Sequence, residues 1–137
     1  NEEATRDALK DGWFYTGDIG YEDEEGYVWI NDRKKDVVIS GGENIYPAEL
    51  EQFIHQMDDI EDATVVGRPD DRWGEVPVAV VIMSPNKRLN PTEFLERFEN
   101  QLARFKHPKD VIFVDNFPRN AMGKVLKHEV RKLVGNQ

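Results

Sequence analysis

Residues 31–51 read NDRKKDVVISGGENIYPAELE, and the rest of the chain is arranged around them. The stretch opens with five charged residues, continues with a short apolar run, and reaches Gly41-Gly42 before Pro47. Burying charges without partners is costly, so the cluster indicates a solvated joint between two pieces of structure or an anion-binding edge. The paired glycines let the backbone approach another molecule closely or adopt positive φ angles. On these residues alone, an ordinary surface hairpin is the alternative interpretation.

The residues around the glycine pair predict a hairpin followed by a helix. Residues 37–40 and 43–46 flank the glycines as two short strands. Pro47 suits the first position of a helix, where its missing N–H costs nothing. The apolar side chains that follow recur at i, i+3, i+4 and i+7, which is one face of a helix. They are Leu50, Phe53, Ile54 and Met57.

Upstream of the charge cluster, the pattern predicts the end of another domain. After a short helix over 3–9, strands at 13–16 and 27–30 are expected to pair as one β-hairpin over residues 13–31. An isolated two-stranded hairpin is only marginally stable in water, so this one needs a larger sheet. Because the chain does not begin with Met, we expect it to be a piece of a longer protein, with a domain boundary at the charge cluster.

Downstream of the helix that begins at Pro47, strands alternate with helices. Strands are predicted at 63–67, 76–83 and 111–114, and the second is so apolar that both of its faces should be covered. Asn90 caps a further helix, and a last helix follows over about 127–134. Their inward-facing residues should be Phe94, Leu95, Phe98 and Leu102, then Leu126, Val130, Leu133 and Val134. The predicted fold class is therefore α+β: a small sandwich with a mostly three-stranded sheet and packed helices, preceded by β-hairpins.

Composition and charge exclude several classes of protein. With 137 residues, 39% of them hydrophobic, the chain is long enough for one domain with its own core. No apolar run approaches the roughly 20 residues of a membrane span, and we see no transmembrane segment or signal peptide. Because there is no cysteine, disulfides and thiolate metal sites are excluded, and we expect a cytoplasmic setting. The net charge of −9 argues against nucleic acid as a partner.

The charge is unevenly placed along the chain. Residues 104–137 hold eight basic and three acidic side chains, although the whole chain is acidic. A basic end on an acidic protein suggests a local anionic partner such as a phosphate. A solvated basic helix face explains the same charges equally well.

Three charged side chains are candidates for binding an anion or a nucleotide. Lys124 follows Gly123 at the exit of a loop, which suits presentation of its ammonium to a phosphate or carboxylate. Asp18, beside Gly17, could accept hydrogen bonds from a ribose diol. Arg33 could bridge ribose and phosphate oxygens. The alternatives are a solvated lysine, a turn aspartate and a weak surface ion pair.

No metal site or catalytic triad is predicted. The three histidines lie far apart and lack metal-ligand spacing, so we interpret them as surface or helix residues: His55, His107 and His128. No set of Ser, His and Asp and no carboxylate pair stands out by its spacing. The stretch before Lys124 also lacks the spacing of a phosphate-binding P-loop.

Four stretches of the chain are familiar when taken together. They are DGWFYTGD at Asp11–Asp18, DRKKD at Asp32–Asp36, SGGENIYPAELE at Ser40–Glu51 and FPRNAMGK at Phe117–Lys124. In this order, they resemble the carboxy-terminal part of adenylate-forming acyl-CoA synthetases, AMP-binding enzymes of the fatty-acid- or aryl-CoA ligase kind. That superfamily also contains luciferases and the adenylation domains of peptide synthetases. The resemblance covers essentially the whole chain.

The resemblance implies a reaction in two halves. A carboxylic acid attacks the α-phosphate of ATP, which carries Mg²⁺, and the thiol of coenzyme A then displaces AMP from the acyl-adenylate. It further implies that residues 1–32 end a large N-terminal domain, that 33–35 are the hinge, and that 36–137 are a mobile C-terminal domain. The phosphate loop, the acyl pocket and most contacts to ATP and Mg²⁺ would lie in that N-terminal domain. The chain alone should therefore not catalyse the reaction.

The resemblance also implies roles for individual residues. Asp18 would hold the ribose hydroxyls, and Arg33 would support the ribose and phosphate side. Lys35 would be the pivot of the hinge, and Lys124 would bridge carboxylate and phosphate oxygens during adenylation. The residues that lie against the pantetheine arm of coenzyme A would be Ser40, Gly41 and Gly42. These roles suit the chemistry, because a preorganised cation stabilises negative charge that builds between two anions.

Two alternative functions stay open. A ligase of the same superfamily could load the thiol of a carrier protein, and the piece could be a non-catalytic interaction module. Some relatives place a basic residue directly after the glycine loop to meet the nucleotide end of coenzyme A. Here that position is Glu43, so the contact must come from elsewhere, such as the basic tail. Nothing in the chain names the carboxylic acid.

Overall fold

The computed structural model describes residues 1–135 and divides the chain into two compact units. Unit 1 comprises Asn1–Lys35, and unit 2 begins at Asp36. Unit 1 consists of one helix and two small hairpins, whereas unit 2 contains a five-stranded sheet and three helices. Within the described residues, no helix combines the length and the apolar character that a bilayer crossing requires.

Unit 1 begins with helix α1, Glu2–Ala8, whose first turn is capped by the side chain of Asn1. Two antiparallel hairpins follow, made of β1 (Leu9–Lys10) with β2 (Trp13–Phe14) and of β3 (Asp18–Glu22) with β4 (Val28–Arg33). The turn of the second hairpin is organised by Asp23, whose carboxylate accepts hydrogen bonds from the backbone N–H of Tyr27 and from Nε1 of Trp29. These bonds lower the pKa of Asp23 from its ordinary value.

The expectation of a single hairpin over residues 13–31 is wrong. Trp13–Phe14 pairs with the segment before it, because Asp11 and Gly12 have φ angles of 53° and 81° and form a two-residue turn. Positive φ at both central positions gives a turn whose twist matches its strands, and Asp-Gly is a preferred sequence for it. Strand β4 therefore takes β3 as its partner.

Among residues 1–35, no side chain is buried, although much of the surface is apolar. The large hydrophobic side chains that stay more than half exposed are Leu9, Trp13, Phe14, Tyr15, Tyr21, Tyr27, Val28, Trp29 and Ile30. Two short hairpins without a buried side chain have no core of their own. The apolar surface of unit 1 is therefore exposed rather than packed into a core among these residues.

The sheet of unit 2 is built on a long antiparallel pair. Its strands are β5 (Val38–Ser40), β6 (Glu43–Ile45), β7 (Ile60–Asp70), β8 (Gly74–Met83) and β9 (Asp110–Phe113). Strands β7 and β8 form the long pair, and β9 runs parallel to β8. The β5–β6 hairpin, which turns at Gly41-Gly42 as predicted, joins the sheet through the pairing of Ser40 with Gly74.

Helices cover both faces of this sheet. They are α2 (Pro47–Ile54), α3 (Pro91–Glu96) and α4 (Lys127–Gly135), with one 3-10 turn at Arg104–Lys106. Successive residues of a strand point to opposite faces. One face packs Val65, Ala79 and Val81 against Leu50, Ile54, Phe94 and Phe98, and the other packs Val66, Val78 and Val80 against Phe117, Val130 and Val134. The α+β fold class and the double covering of the 76–83 strand are confirmed.

Three further details differ from the predictions. The sheet, predicted to be mostly three-stranded, has five strands, because the β5–β6 hairpin joins it through the pairing of β5 with β8. Leu133, predicted to face inward, is 49% exposed, because Val130 and Val134 occupy the buried side of α4. Asp36 belongs to the charge cluster that was predicted to be solvated, yet it is buried, with Oδ1 2.6 Å from Nη2 of Arg131. A guanidinium partner compensates a buried carboxylate. The exposed part of the cluster is therefore residues 33–35.

Candidate functional site

Asp18 and Arg33, the two predicted nucleotide contacts, face each other across the second hairpin of unit 1. Arg33 Nη1 lies 2.7 Å from Asp18 Oδ1 and also donates to the carbonyl of Thr16 at 3.2 Å. The backbone N–H of Asp18 donates to Thr16 Oγ1 at 3.1 Å, which holds the start of the strand in place. The pair places a carboxylate acceptor beside a guanidinium donor, as a ribose diol next to a phosphate would require.

Lys35 lies in an exposed turn directly after β4 and is the last residue of unit 1. The next residue, Asp36, is buried in unit 2 and paired with Arg131. An exposed lysine is thus followed directly in the chain by a buried, ion-paired aspartate. A pivot at Lys35 would have a fixed attachment point immediately after it.

Gly41 and Gly42 form the tight turn between β5, which ends at Ser40, and β6. The φ angles of the two glycines are 58° and 86°, in the left-handed region that favours glycine. Gly41 packs against Trp73: its N–H donates to the Trp73 carbonyl at 2.8 Å, and a Cβ on Gly41 would lie 2.9 Å from the indole ring. Among the described residues, nothing lies within 4 Å of a Cβ built on Gly42, so this side of the loop is open.

Trp73, in the turn between β7 and β8, was not identified from the sequence as part of the site. Its side chain is 42% exposed, and the guanidinium carbon of Arg72 lies 4.8 Å from its ring centroid. Together with Gly41 it forms a half-exposed wall beside the glycine turn. A tryptophan in a polar loop is the signal that could have identified it, because an amphipathic ring suits a surface that is only partly wet.

Lys124 ends a compact loop that is closed by the side chain of Asn120. Asn120 Oδ1 accepts the N–H groups of Met122 at 3.0 Å and of Lys124 at 2.9 Å. Gly123, between them, has a φ of 84°. Lys124 is exposed, and within residues 1–135 its ammonium makes no hydrogen bond or ion pair. The loop therefore holds the backbone while leaving the cation available to an anion.

Arg119 ties the Lys124 loop to strand β7. Its Nη2 lies 2.6 Å from Asp62 Oδ2, and its Nη1 donates to the Gly123 carbonyl at 3.0 Å. His55 Nε2 lies 2.9 Å from the other carboxylate oxygen of Asp62, so this histidine is a partly exposed surface residue with a defined partner. Partial burial raises the pKa of Asp62, but the hydrogen bonds with His55 and Arg119 outweigh it and keep that pKa below its ordinary value.

The glycine loop and the Lys124 loop lie at opposite ends of the β7–β8 pair. Ser40 pairs with Gly74 at the turn end, where Gly74 also faces Asp70. Arg119 attaches at Asp62, near the other end of β7. The distance from Asp62 to Asp70 along an extended strand is roughly 26 Å. The structure thus brings the two nucleotide-contact candidates together in unit 1, and it separates the lysine from the glycines in unit 2.

Comparison with known proteins identifies the family. The family model described as the AMP-binding enzyme C-terminal domain matches residues 49–124. The chain is 51% identical to the indoleacetate–CoA ligase of Aromatoleum aromaticum, a match that covers 98% of this chain and 26% of that protein. It is 48% identical to the long-chain-fatty-acid–CoA ligase FadD13 of Mycobacterium tuberculosis, with 95% and 26% covered.

A solved structure shows the same fold. The crystal structure of ATP-bound MatB from Rhodopseudomonas palustris matches with a TM-score of 0.86 and 43% identity, over 96% of this chain and 26% of that one. The chain therefore spans about a quarter of the length of the relatives it matches. These matches confirm the resemblance that the four motifs indicated. The chain belongs to the family of AMP-binding enzyme C-terminal domains.

Proposed function

We propose that the chain is the C-terminal portion of an ATP-dependent, AMP-forming acyl-CoA synthetase. The full protein would convert a carboxylic acid and ATP to acyl-adenylate and pyrophosphate, and then convert acyl-adenylate and coenzyme A to acyl-CoA and AMP. One observation carries the proposal. An exposed lysine on an ordered loop and a narrow glycine turn lie at opposite ends of one sheet. Each end would serve one half-reaction.

In this proposal, residues 1–32 complete a large N-terminal domain that lies outside this chain. The support is the apolar surface of unit 1, which has no buried side chain of its own among residues 1–35. The relatives are about four times as long as this chain, which leaves room for such a domain. The absence of cysteine suits a reducing compartment, and we place the full protein in the cytoplasm.

The nucleotide would be held partly by the pair in unit 1. The carboxylate of Asp18 would accept hydrogen bonds from the two ribose hydroxyls, and Arg33 would keep it in place at 2.7 Å while reaching toward the phosphates. ATP would carry Mg²⁺, bound mainly by the N-terminal domain. Among residues 1–135, no three His, Cys, Asp or Glu side chains cluster closely enough to hold a metal ion.

In the first half-reaction, a carboxylate oxygen attacks the α-phosphorus of ATP. A new oxygen–phosphorus bond forms, the bond to the bridging oxygen breaks, and pyrophosphate leaves with the electron pair. Lys124 would donate hydrogen bonds to the carboxylate and to an α-phosphate oxygen. Its charge would reduce the repulsion between two anions and stabilise the charge that develops as they meet.

In the second half-reaction, the thiol sulfur of coenzyme A attacks the acyl carbonyl carbon. The thiol gives up its proton, a sulfur–carbon bond forms, and AMP leaves as the acyl–oxygen bond breaks. The narrow pantetheine arm would run along the open side of the turn at Gly42, beside the wall formed by Gly41 and Trp73. A side chain at either glycine would narrow that path.

A swing about residues 33–35 would present the two ends of the sheet in sequence. With roughly 26 Å between them along β7, the lysine and the glycine turn cannot meet one acyl carbonyl in the same orientation. Lys35 would be the pivot, and the buried Asp36 next to it would transmit the rotation to the C-terminal domain as one body. Domain motions of this kind gate many multistep reactions.

Acid-dependent ATP–pyrophosphate exchange by the full-length protein tests the proposal. A panel of fatty, aryl and dicarboxylic acids should include at least one that supports exchange, and that acid should yield acyl-CoA with free coenzyme A. Exchange without acyl-CoA, together with acylation of a carrier-protein thiol, would favour the carrier-loading alternative. Absence of exchange with every acid would contradict the proposal and favour a non-catalytic module.

A further inference from the structure

Ion pairs hold the Lys124 loop at both of its ends. At its start, Arg119 pairs with Asp62 on β7. At its exit, Lys127 Nζ lies 2.6 Å from Glu51 Oε1 on α2. Both partners belong to the packed α2–β7 segment, so the loop is attached to one rigid part of the fold at two points.

The guanidinium of Arg119 reaches the loop as well as the sheet. One nitrogen contacts Asp62, and another donates to the carbonyl of Gly123, the residue directly before Lys124. The planar fork of arginine suits two acceptors at fixed positions, whereas a lysine is a single point charge. Arg119 therefore connects β7 directly to the peptide group that leads into Lys124.

Asp62 is itself held in place from two other directions. His55 lies 2.9 Å from its Oδ1, and the backbone N–H of Ala63 donates to the same oxygen at 2.8 Å. The second oxygen is left to Arg119. The carboxylate is thus oriented by His55, the residue directly after α2, and by its own strand, which fixes the point where Arg119 attaches.

The Arg119–Asp62 ion pair contributes little to the global stability of the fold. The side chains of Arg119 and Asp62 are 40% and 29% exposed, and both lie outside the two buried clusters. Ion pairs at such exposed positions contribute little to global stability. The ordering that the pair provides is instead local to the loop that carries Lys124.

We propose that Asp62 and Arg119 are positioning residues for adenylation. They hold the loop so that the ammonium of Lys124 meets the reacting anions in one geometry. This inference rests on the proposed function, and it concerns placement of the lysine rather than contact with substrate. A small displacement of a reacting group slows a step that depends on alignment.

The test measures the two half-reactions in the full-length protein carrying Asp62→Asn or Arg119→Gln. We expect kcat for adenylation to fall about tenfold to hundredfold. The KM values for ATP and acid should change by less than about threefold, and thioester formation from supplied acyl-adenylate should keep its rate. Because the two residues form one contact, the double variant should be no slower than the slower single variant. The adenylation rate of Arg119→Lys should lie between that of Arg119→Gln and that of the unmodified protein.

Asp59→Asn is the matched control. It removes a second Arg–Asp pair, with Arg97 at 2.5 Å and side chains 35% and 26% exposed, that does not touch the loop. Hydrogen exchange, read by mass spectrometry on peptides covering 117–126, should be faster in Asp62→Asn than in Asp59→Asn. This second readout needs no turnover and no substrate.

The outcomes separate the inference from the proposed function. The positioning role would be overturned if Asp62→Asn had the same adenylation rate and the same hydrogen-exchange rate over 117–126 as Asp59→Asn. It would also be overturned if Asp62→Asn lost both half-reactions equally. Either result, obtained beside an active unmodified protein, leaves the proposed function standing. An unmodified protein without acid-dependent exchange would overturn the proposed function, and the positioning role in adenylation with it.

Discussion

A Cβ built on Gly41 would lie 2.9 Å from Cε3 of Trp73, closer than such a carbon normally approaches. The same glycine has a φ of 58° and donates its N–H to the Trp73 carbonyl. Gly42 also has a positive φ, of 86°, but has open space around it among the described residues. Packing and conformation both require glycine at position 41, whereas conformation alone requires it at position 42.

We therefore expect Gly41→Ala to destabilise unit 2 more than Gly42→Ala. Placing an L residue in the left-handed region costs roughly 1–2 kcal/mol in both variants. Gly41→Ala must also displace the ring of Trp73, and because that ring is 42% exposed the added cost should lie near the low end for overpacking, about 1 kcal/mol. Urea denaturation of the full-length variants, followed through the unfolding of unit 2, measures the difference. Equal losses in the two variants would contradict the packing argument.

Asp18→Asn should weaken nucleotide binding. It removes the charge that would accept the ribose hydroxyls, and hydrogen bonds to a charged group are worth roughly 1.5–3 kcal/mol. The KM for ATP should therefore rise about tenfold or more. Asp11→Asn, in the exposed first turn of the same unit, is the control, because asparagine tolerates its φ of 53°. An unchanged KM for ATP in Asp18→Asn would contradict the proposal that Asp18 binds the ribose hydroxyls.

Lys35→Pro should harm thioester formation more than adenylation. Proline restricts φ to about −65° and so stiffens the proposed pivot. The protein would then fail to bring the glycine turn to the acyl-adenylate. Lys35→Ala, which keeps the backbone free to rotate, should retain both half-reactions. Separate assays of the two steps make the comparison, and a normal second step in Lys35→Pro would count against a hinge here.

Asp62 should contribute to stability in a pH-dependent way. Its folded pKa is lowered: burial acts to raise it, but bonds to His55, Arg119 and the Ala63 backbone outweigh that effect. A lowered pKa gives stability that is fully present above the unfolded value, about 3.9, and is lost as pH falls through the folded value. Because the Asp62–Arg119 pair is partly exposed, the loss of stability in Asp62→Asn should be small, about 1 kcal/mol or less at pH 6, and the resulting difference in Tm from wild type should close in acid. A constant difference would contradict the pKa direction.

Local signals made much of the fold predictable. The turn at Gly41-Gly42 and the helix from Pro47 follow from backbone preferences of those residues. Asn90 caps α3 as predicted, and Glu93 completes a capping box, with the two residues exchanging hydrogen bonds of 2.9 Å. The sequence prediction paired the strands of unit 1 wrongly. Two turn signals flank the strand at residues 13–14, and the structure forms the turn at Asp11-Gly12.

The candidate site was predictable only where one short motif contains it. Lys124 and its glycine stand in such a motif, but the contact that orders their loop joins Arg119 to a residue 57 positions away. Trp73 likewise meets Gly41 only because the β5–β6 hairpin pairs with the start of β8. Such contacts depend on strand register and packing, which no local pattern specifies.

The central claim is that Lys124 and the glycine turn, at opposite ends of the sheet, serve different half-reactions. Its most direct test measures both half-reactions in full-length Lys124→Ala. Acid-dependent pyrophosphate exchange should fall about hundredfold or more, because a preorganised cation at the developing charge is lost. Thioester formation from supplied acyl-adenylate and coenzyme A should stay within about threefold of wild type, because the glycine turn at the other end of β7 is untouched. Lys87→Ala, at an exposed lysine after β8, should change neither step. Equal loss of both half-reactions in Lys124→Ala would contradict the assignment of one half-reaction to each end.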